Sequence, residues 1–402
     1  MSPALRPERS GVMPGPGSRV AADRRSLPVA ASACRYVPAL LSAALALLAG
    51  CAAPPRVQVP LRRPAEVRAR IMRLMPANAT DRQGWATDIY AAFAALEIEP
   101  TPQNLCATLA VVEQESSFSV DPVVPGLGRI ARAEIERRAA RHHVPALLVR
   151  AALLVESPNG KSYGDRLDAV RTERELSRIY EDFIGSVPLG RRLFADANPV
   201  HTGGPMQVGI SFAERQVRGH PYPYPVDGSI RHEVFSRRGG TYFGIAHLLG
   251  YPASYDRMIY RFADFNAGFY ASRNAAFQNA VSLASGIPLA LDGDLVGYDG
   301  GDKVGTTELA VRALAPRLDL GNAGIRRALE QGESLAFENT ALYRRVFALA
   351  GQIEGRELPH ALVPRIALKS PKISRPLTTE WFASRVDQRY RSCIARAPGP
   401  HG

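Results

Sequence analysis

The stretch TPQNLCATLAVVEQES, residues 101–116, is patterned as a helix from end to end. Thr101 is a capping residue, Pro102 takes the first helical position, where its missing N–H costs nothing, and Leu105, Leu109 and Val112 recur at i, i+4 and i+7. The same spacing runs through TDRQGWATDIYAAFAAL, with Thr80 or Asp81 as cap, and through IARAEIERRAARHHVPALLVRAALLVES, broken near Pro145. ERELSRIYEDFI and SYDRMIYRFADFNAGFYASRNAAFQNAVSLAS continue it. Alternation of period two is scarce, and Gly and Pro gather in NPVHTGGPMQVG, GHPYPYPVDG and ALDGDLVGYDGGDKVG, which read as loops. The implied fold class is mainly α, with at most a short hairpin. A chain of 402 residues with 46% hydrophobic content can bury a large core, as one domain or two.

The first fifty residues stand outside that core. An apolar run from Val37 to Leu48, preceded by Arg19, Arg24, Arg25 and Arg35, is too short to cross a bilayer but suits the apolar part of a secretion signal. It ends in Leu48-Ala49-Gly50-Cys51, which resembles a bacterial lipoprotein processing site, with Cys51 as the acylated residue. The basic region before it is long, which makes Met13 a second candidate start. Residues 1–50 are therefore expected to be a signal peptide. The Pro- and Arg-rich residues 51–63 are expected to form an extended tether to a membrane. Ala52 is not the Asp that lipoprotein sorting associates with inner-membrane retention, so the expected location is the outer membrane, facing the periplasm.

Losing residues 1–50 removes six Arg and two acidic residues, which takes the net charge from +12 to +8. A basic exported body favours an anionic surface or polymer, such as a membrane face or the cell wall. Export, and the absence of a basic helix interleaved with aromatics, argue against nucleic acid. Cys34 leaves with the signal and Cys51 carries the lipid, so Cys106 and Cys393 remain. In an oxidising compartment they form either a disulfide or two separate buried thiols. No paired Cys/His spacing points to a metal, and no cofactor is expected.

Glu115 lies near the carboxyl end of its helix, where the helix dipole and apolar neighbours both disfavour a negative charge. Such a carboxyl keeps its proton longer than an exposed one, as a general acid must. Glu113 projects differently and is expected to be solvated. In GGPMQVG, residues 203–209, small residues permit close backbone approach beside Met206 and Gln207. A tight Gly-Pro turn explains the same residues. In FADFNAG, Asn266 is followed by Ala267 and Gly268, which also suits an ordinary helix end. In ENTALYRRVFAL, Tyr343 opens an apolar helical stripe.

Taken together and in this order, EQESSFSVDP, GGPMQVG, FADFNAG and ENTALYRRVFAL resemble the four signature motifs of soluble-type lytic transglycosylases, relatives of goose-type lysozymes. The resemblance implies a lysozyme-like helical domain that cleaves the MurNAc–GlcNAc β-1,4 bond of peptidoglycan without water. It implies that Glu115 is the single acid and base, and that Ser116 orients it. By the same token Met206 and Gln207 line the cleft, Asn266 holds the N-acetyl group, and Tyr343 hydrogen-bonds the Glu115 carboxyl. The partners implied are peptidoglycan glycan strands and, through Cys51, a membrane. A non-catalytic peptidoglycan-binding scaffold is the alternative.

The departures are specific. Glu115 and Gly204 are 89 positions apart, wider than the family's usual spacing, which implies a helical insertion over about 127–200. Pro205 replaces the usual Leu, and Phe265 replaces a Tyr. A second Glu-Ser pair, Glu156-Ser157, lies inside the insertion, and Asp264 is the nearest second carboxylate for a hydrolase. The expected organisation is a catalytic body over 64–365 and a Pro-rich basic tail over 366–402, with a final helix through EWFASRVDQRYRSCIAR.

Overall fold

A computed structural model of the chain describes residues 63–186, 198–297, 304–368 and 376–397. Residues 1–50, expected to be a signal peptide, and Cys51 with all but the last residue of the expected tether lie outside the described residues. The described residues all fall in one compact unit.

The body is mainly α, as the periodicity requires. Three helices open it: α1 (Pro64–Leu74), α2 (Arg82–Ala95) and α3 (Pro102–Ser116). The second and third are capped as their sequences specify. The Asp81 side chain accepts from Gly84 N–H at 3.1 Å, and Thr101 accepts from Asn104 N–H at 3.1 Å. The span between the first two motifs is helical: α4 (Leu127–Arg141), α5 (Ala146–Leu154), α6 (Tyr163–Ala169) and α7 (Glu173–Ser186). Pro145 separates α4 from α5 by standing at the α5 N-cap.

A two-stranded antiparallel hairpin comes next, β1 (Thr202–Gly203) with β2 (Val208–Gly209), pairing Thr202 with Gly209 and Gly203 with Val208. It leads into α8 (Ile210–Gly219), α9 (Ile230–Val234), α10 (Arg237–Leu249), α11 (Met258–Ala267) and α12 (Ala271–Ser285). Beyond these lie α13 (Thr306–Ala313), α14 (Ala315–Leu318), α15 (Asn322–Leu329), a 3-10 turn (Leu335–Asn339) and α16 (Ala341–Glu354). A second small antiparallel pair, β3 (Ala367–Leu368) with β4 (Leu377–Thr378), precedes α17 (Thr379–Ala395).

Apolar side chains collect into two clusters. The larger joins α1, α2, α3, α10, α11 and α17 around Ile71, Trp85, Leu109, Phe243, Phe262 and Val386. The smaller joins α12, α13, α15 and α16 around Phe277, Val311, Ile325, Phe337 and Val346.

The final helix is present as α17, but the expectation of a tail over 366–402 is corrected for residues 379–395. Helix α17 packs along both α3 and α11, and it buries Phe382, Ala383 and Val386 in the larger core. Cys106 and Cys393 form a disulfide with their Cα atoms 5.5 Å apart, fastening α17 to α3. This resolves the two readings of those cysteines.

Candidate functional site

Helix α3 delivers Glu115 at its last turn and then stops, because Ser117 and Phe118 both adopt left-handed backbone (φ 49° and 62°). Ser117 N–H closes the turn on Glu113 O at 3.2 Å. Glu115 is partly buried, and among the described residues no hydrogen bond or ion pair reaches its carboxylate. Removal from water, with nothing to offset it, pushes its pKa up to about 7. Glu113, two positions back, faces α17, where Arg389 Nε lies 3.6 Å from its Oε1.

Glu156, the competing carboxylate, is exposed in the turn between α5 and α6. Its neighbour Ser157 is spent on that turn, donating to Asn159 Oδ1 and Lys161 O, each at 2.8 Å. Asp264 is fully buried and used up: Tyr255 and Tyr251 hydroxyls donate to Oδ2 at 2.6 and 3.0 Å, and Ser272 N–H donates to Oδ1 at 2.7 Å. Burial raises its pKa, and no oxygen is left over to activate a water.

Helix α17 relates Glu115 to Asn266. Near its end it is bonded to the start of α3 through Cys393–Cys106, and further back Arg389 meets Glu113, so the two helices run antiparallel. At its opposite end, Thr379 donates to Asn266 Oδ1 at 3.0 Å. The carboxyl ends of α3 and α11 therefore both lie toward the first turn of α17. Asn266 is exposed. Sequence reasoning does not single out Thr379, although its place at the head of a capped helix is a usable signal. Phe265 turns the other way, its ring 5.0 Å from the His247 ring in an aromatic group with Phe212 and Phe269. Burial lowers the His247 pKa to about 4, so this imidazole is neutral. Nothing local in its sequence marks it.

The GGPMQVG segment is the turn of the hairpin, residues 204–207, with the strand residues that flank it. Gly204 has φ 73°, and a side chain there would strike Val234 O, so the turn demands glycine. Met206 does not line an open surface: it is fully buried beneath Gly244 of α10, where the absence of a side chain makes room for the thioether. Gln207 is held with φ 50° and is the one residue between Gly203 and Val208 that solvent still reaches. Thr202 hydroxyl donates to its Oε1 at 3.3 Å.

Two further expectations are corrected. Ser116 does not touch the Glu115 carboxylate; its buried hydroxyl donates to Val112 O at 3.0 Å, the usual bond of a helical serine to the turn behind it. Tyr343 belongs to the smaller core, stacked among Phe277, Phe337 and Phe347, and its hydroxyl shares a 2.9 Å hydrogen bond with His360 Nδ1. There it borders a separate cavity of about 700 Å³, whose aromatic side is Tyr343, Phe347 and His360 and whose polar rim includes Glu338, Arg344 and Arg356.

No solved structure matches this chain. The chain is 54% identical over 354 residues to an uncharacterized protein, YaiW, of Escherichia coli strain K12, and the match covers 87% of this chain and 96% of that protein. Residues 78–396 match the model of a family described as a protein of unknown function, DUF1615. That span takes in all four motif segments, both disulfide cysteines and α17, the same elements that build the body around Glu115. The chain belongs to the DUF1615 family.

Proposed function

We propose that this protein is a peptidoglycan lytic transglycosylase, anchored through lipid at Cys51 to the outer membrane and facing the periplasm. In this reading its helices form a lysozyme-like cleft that presents Glu115 as the only acid and base. The observation that carries the proposal is Glu115 itself: a partly buried carboxyl at a helix end, unpaired among the described residues, with a pKa near neutrality set by desolvation. A group with that pKa can give up and regain a proton within one turnover.

Glu115 would protonate the oxygen leaving from C1 of MurNAc. As the C1–O bond breaks, the C6 hydroxyl oxygen attacks C1, and the Glu115 carboxylate takes the hydroxyl proton. The products are a free GlcNAc hydroxyl and a 1,6-anhydro ring. The nucleophile belongs to the substrate, so no second carboxylate is needed. Gln207 and the Asn266 amide, the positions that the resemblance assigns to substrate, would hold the glycan. Glu115→Gln should lower turnover on purified sacculi by about 10² to 10⁴-fold while leaving the helical signal intact. Wild-type turnover in that variant would remove Glu115 from the mechanism.

A second reading, a peptidoglycan-binding scaffold without turnover, is favoured by two observations. Tyr343 is committed to His360 and Ser116 to Val112, so neither supports the carboxyl. Binding to sacculi without release of any product would select it.

A further inference from the structure

Helix α5 is the anomaly of the fold. It has no buried residue, although its sequence ALLVRAALL is the most apolar among the longer described helices. Leu147, Leu148 and Leu154 are 69%, 58% and 78% exposed, and Val144 and Val155 are exposed beside them. Spacings of four and seven residues put Leu147, Leu148, Ala151, Leu154 and Val155 on one face, while the partly buried Val149, Ala152 and Leu153 turn toward the body. A water-facing aliphatic face of this kind marks an interaction surface.

Charge identifies the occupant. Residues 127–155 carry six arginines against two glutamates. Arg141, His142, His143 and Arg150 are exposed around the apolar face, and among the described residues neither Arg141 nor Arg150 makes an ion pair. The face itself is purely aliphatic, without the aromatic and methionine side chains that enrich the cores of protein interfaces. An aliphatic face bordered by cations is the pattern of a helix lying in a bilayer surface. At nine residues α5 is about 14 Å long, so it can lie in a membrane surface but not cross one.

We propose that α5 docks the body onto an anionic phospholipid surface, its leucines among the acyl chains and Arg141 and Arg150 on lipid phosphates. This rests in part on the proposed anchor at Cys51. The dozen or so residues between Cys51 and Pro64 would span about 40 Å at most, which would keep the start of the body near the bilayer. Docking there would orient the body and fix the direction in which the Glu115 end faces.

The test uses residues 62–402, which contain both apolar cores and lack the anchor. Flotation with vesicles of phosphatidylglycerol and phosphatidylethanolamine should recover the protein, and pure phosphatidylcholine vesicles should not. Leu147→Ser, Leu148→Ser and Leu154→Ser combined should weaken recovery at least tenfold without lowering the Tm, because these side chains are exposed. Leu148→Trp should shift its fluorescence to the blue on the anionic vesicles alone. Recovery indifferent to the triple substitution would overturn the proposal. So would failure to float on anionic vesicles, with or without self-association that the triple substitution abolishes. Lipid labelling of Cys51 in the full chain tests the anchor separately, so the two can fail independently.

Discussion

At Glu115 the fold sets burial against charge and leaves the conflict unresolved, where Asp264 has it settled by two tyrosine hydroxyls and a backbone N–H. Two consequences belong to this residue. Glu115's folded pKa lies above its unfolded one, so the stability it contributes is complete below about 4.5 and is lost as the pH rises through about 7. Glu115→Gln should therefore stabilise the body at pH 8 by about 1–2 kcal/mol, solvent access trimming the full linkage value, and should make little difference at pH 4. Chemical denaturation at the two pH values checks this; an equal effect at both would mean that the carboxyl is hydrated. Activity should fall above pH 7 with one ionisation, as the acid loses its proton before the substrate can take it. Glu115 is legible in the sequence because a helix end and apolar neighbours are local facts. The partners of Ser116 and Tyr343 are not, since which acceptor a hydroxyl meets depends on packing between elements remote in sequence.

Among the elements, the hairpin loop and α17 carry the most weight for their size. Gly204→Ala adds a side chain to left-handed backbone and drives it into Val234 O, and should cost about 2–4 kcal/mol, read as a lowered Tm. Replacing Cys106 and Cys393 together with alanine removes a link between residues 287 apart and should cost about 2–5 kcal/mol. A reductant should lower the wild-type Tm similarly and leave the double variant unmoved. If the reductant changes neither, the bond is not what holds α17 to α3. The helices themselves are readable wherever a cap and an apolar stripe coincide, as at Thr101 and Asp81. Helix α17 is readable as a helix but not as part of the core, because the Pro-rich residues before it read as extended. Its buried stripe, Phe382, Ala383 and Val386, acquires meaning only against α3 and α11.

Across the body, two apolar clusters divide the four motifs. Glu115 and Met206 stand on elements of the larger, Asn266 on a helix that packs into it, and Tyr343 in the smaller. A resemblance read along the chain cannot report that division, because motif order says nothing about which core each segment joins. The family match and the relative from Escherichia coli extend across both clusters. Transglycosylase chemistry at Glu115 is tested most directly by mass spectrometry of the muropeptides released from purified sacculi by the body, with Glu115→Gln alongside. The wild type should release 1,6-anhydro-muropeptides and the variant none. Reducing MurNAc ends, or no product from folded protein that binds the sacculi, would contradict it.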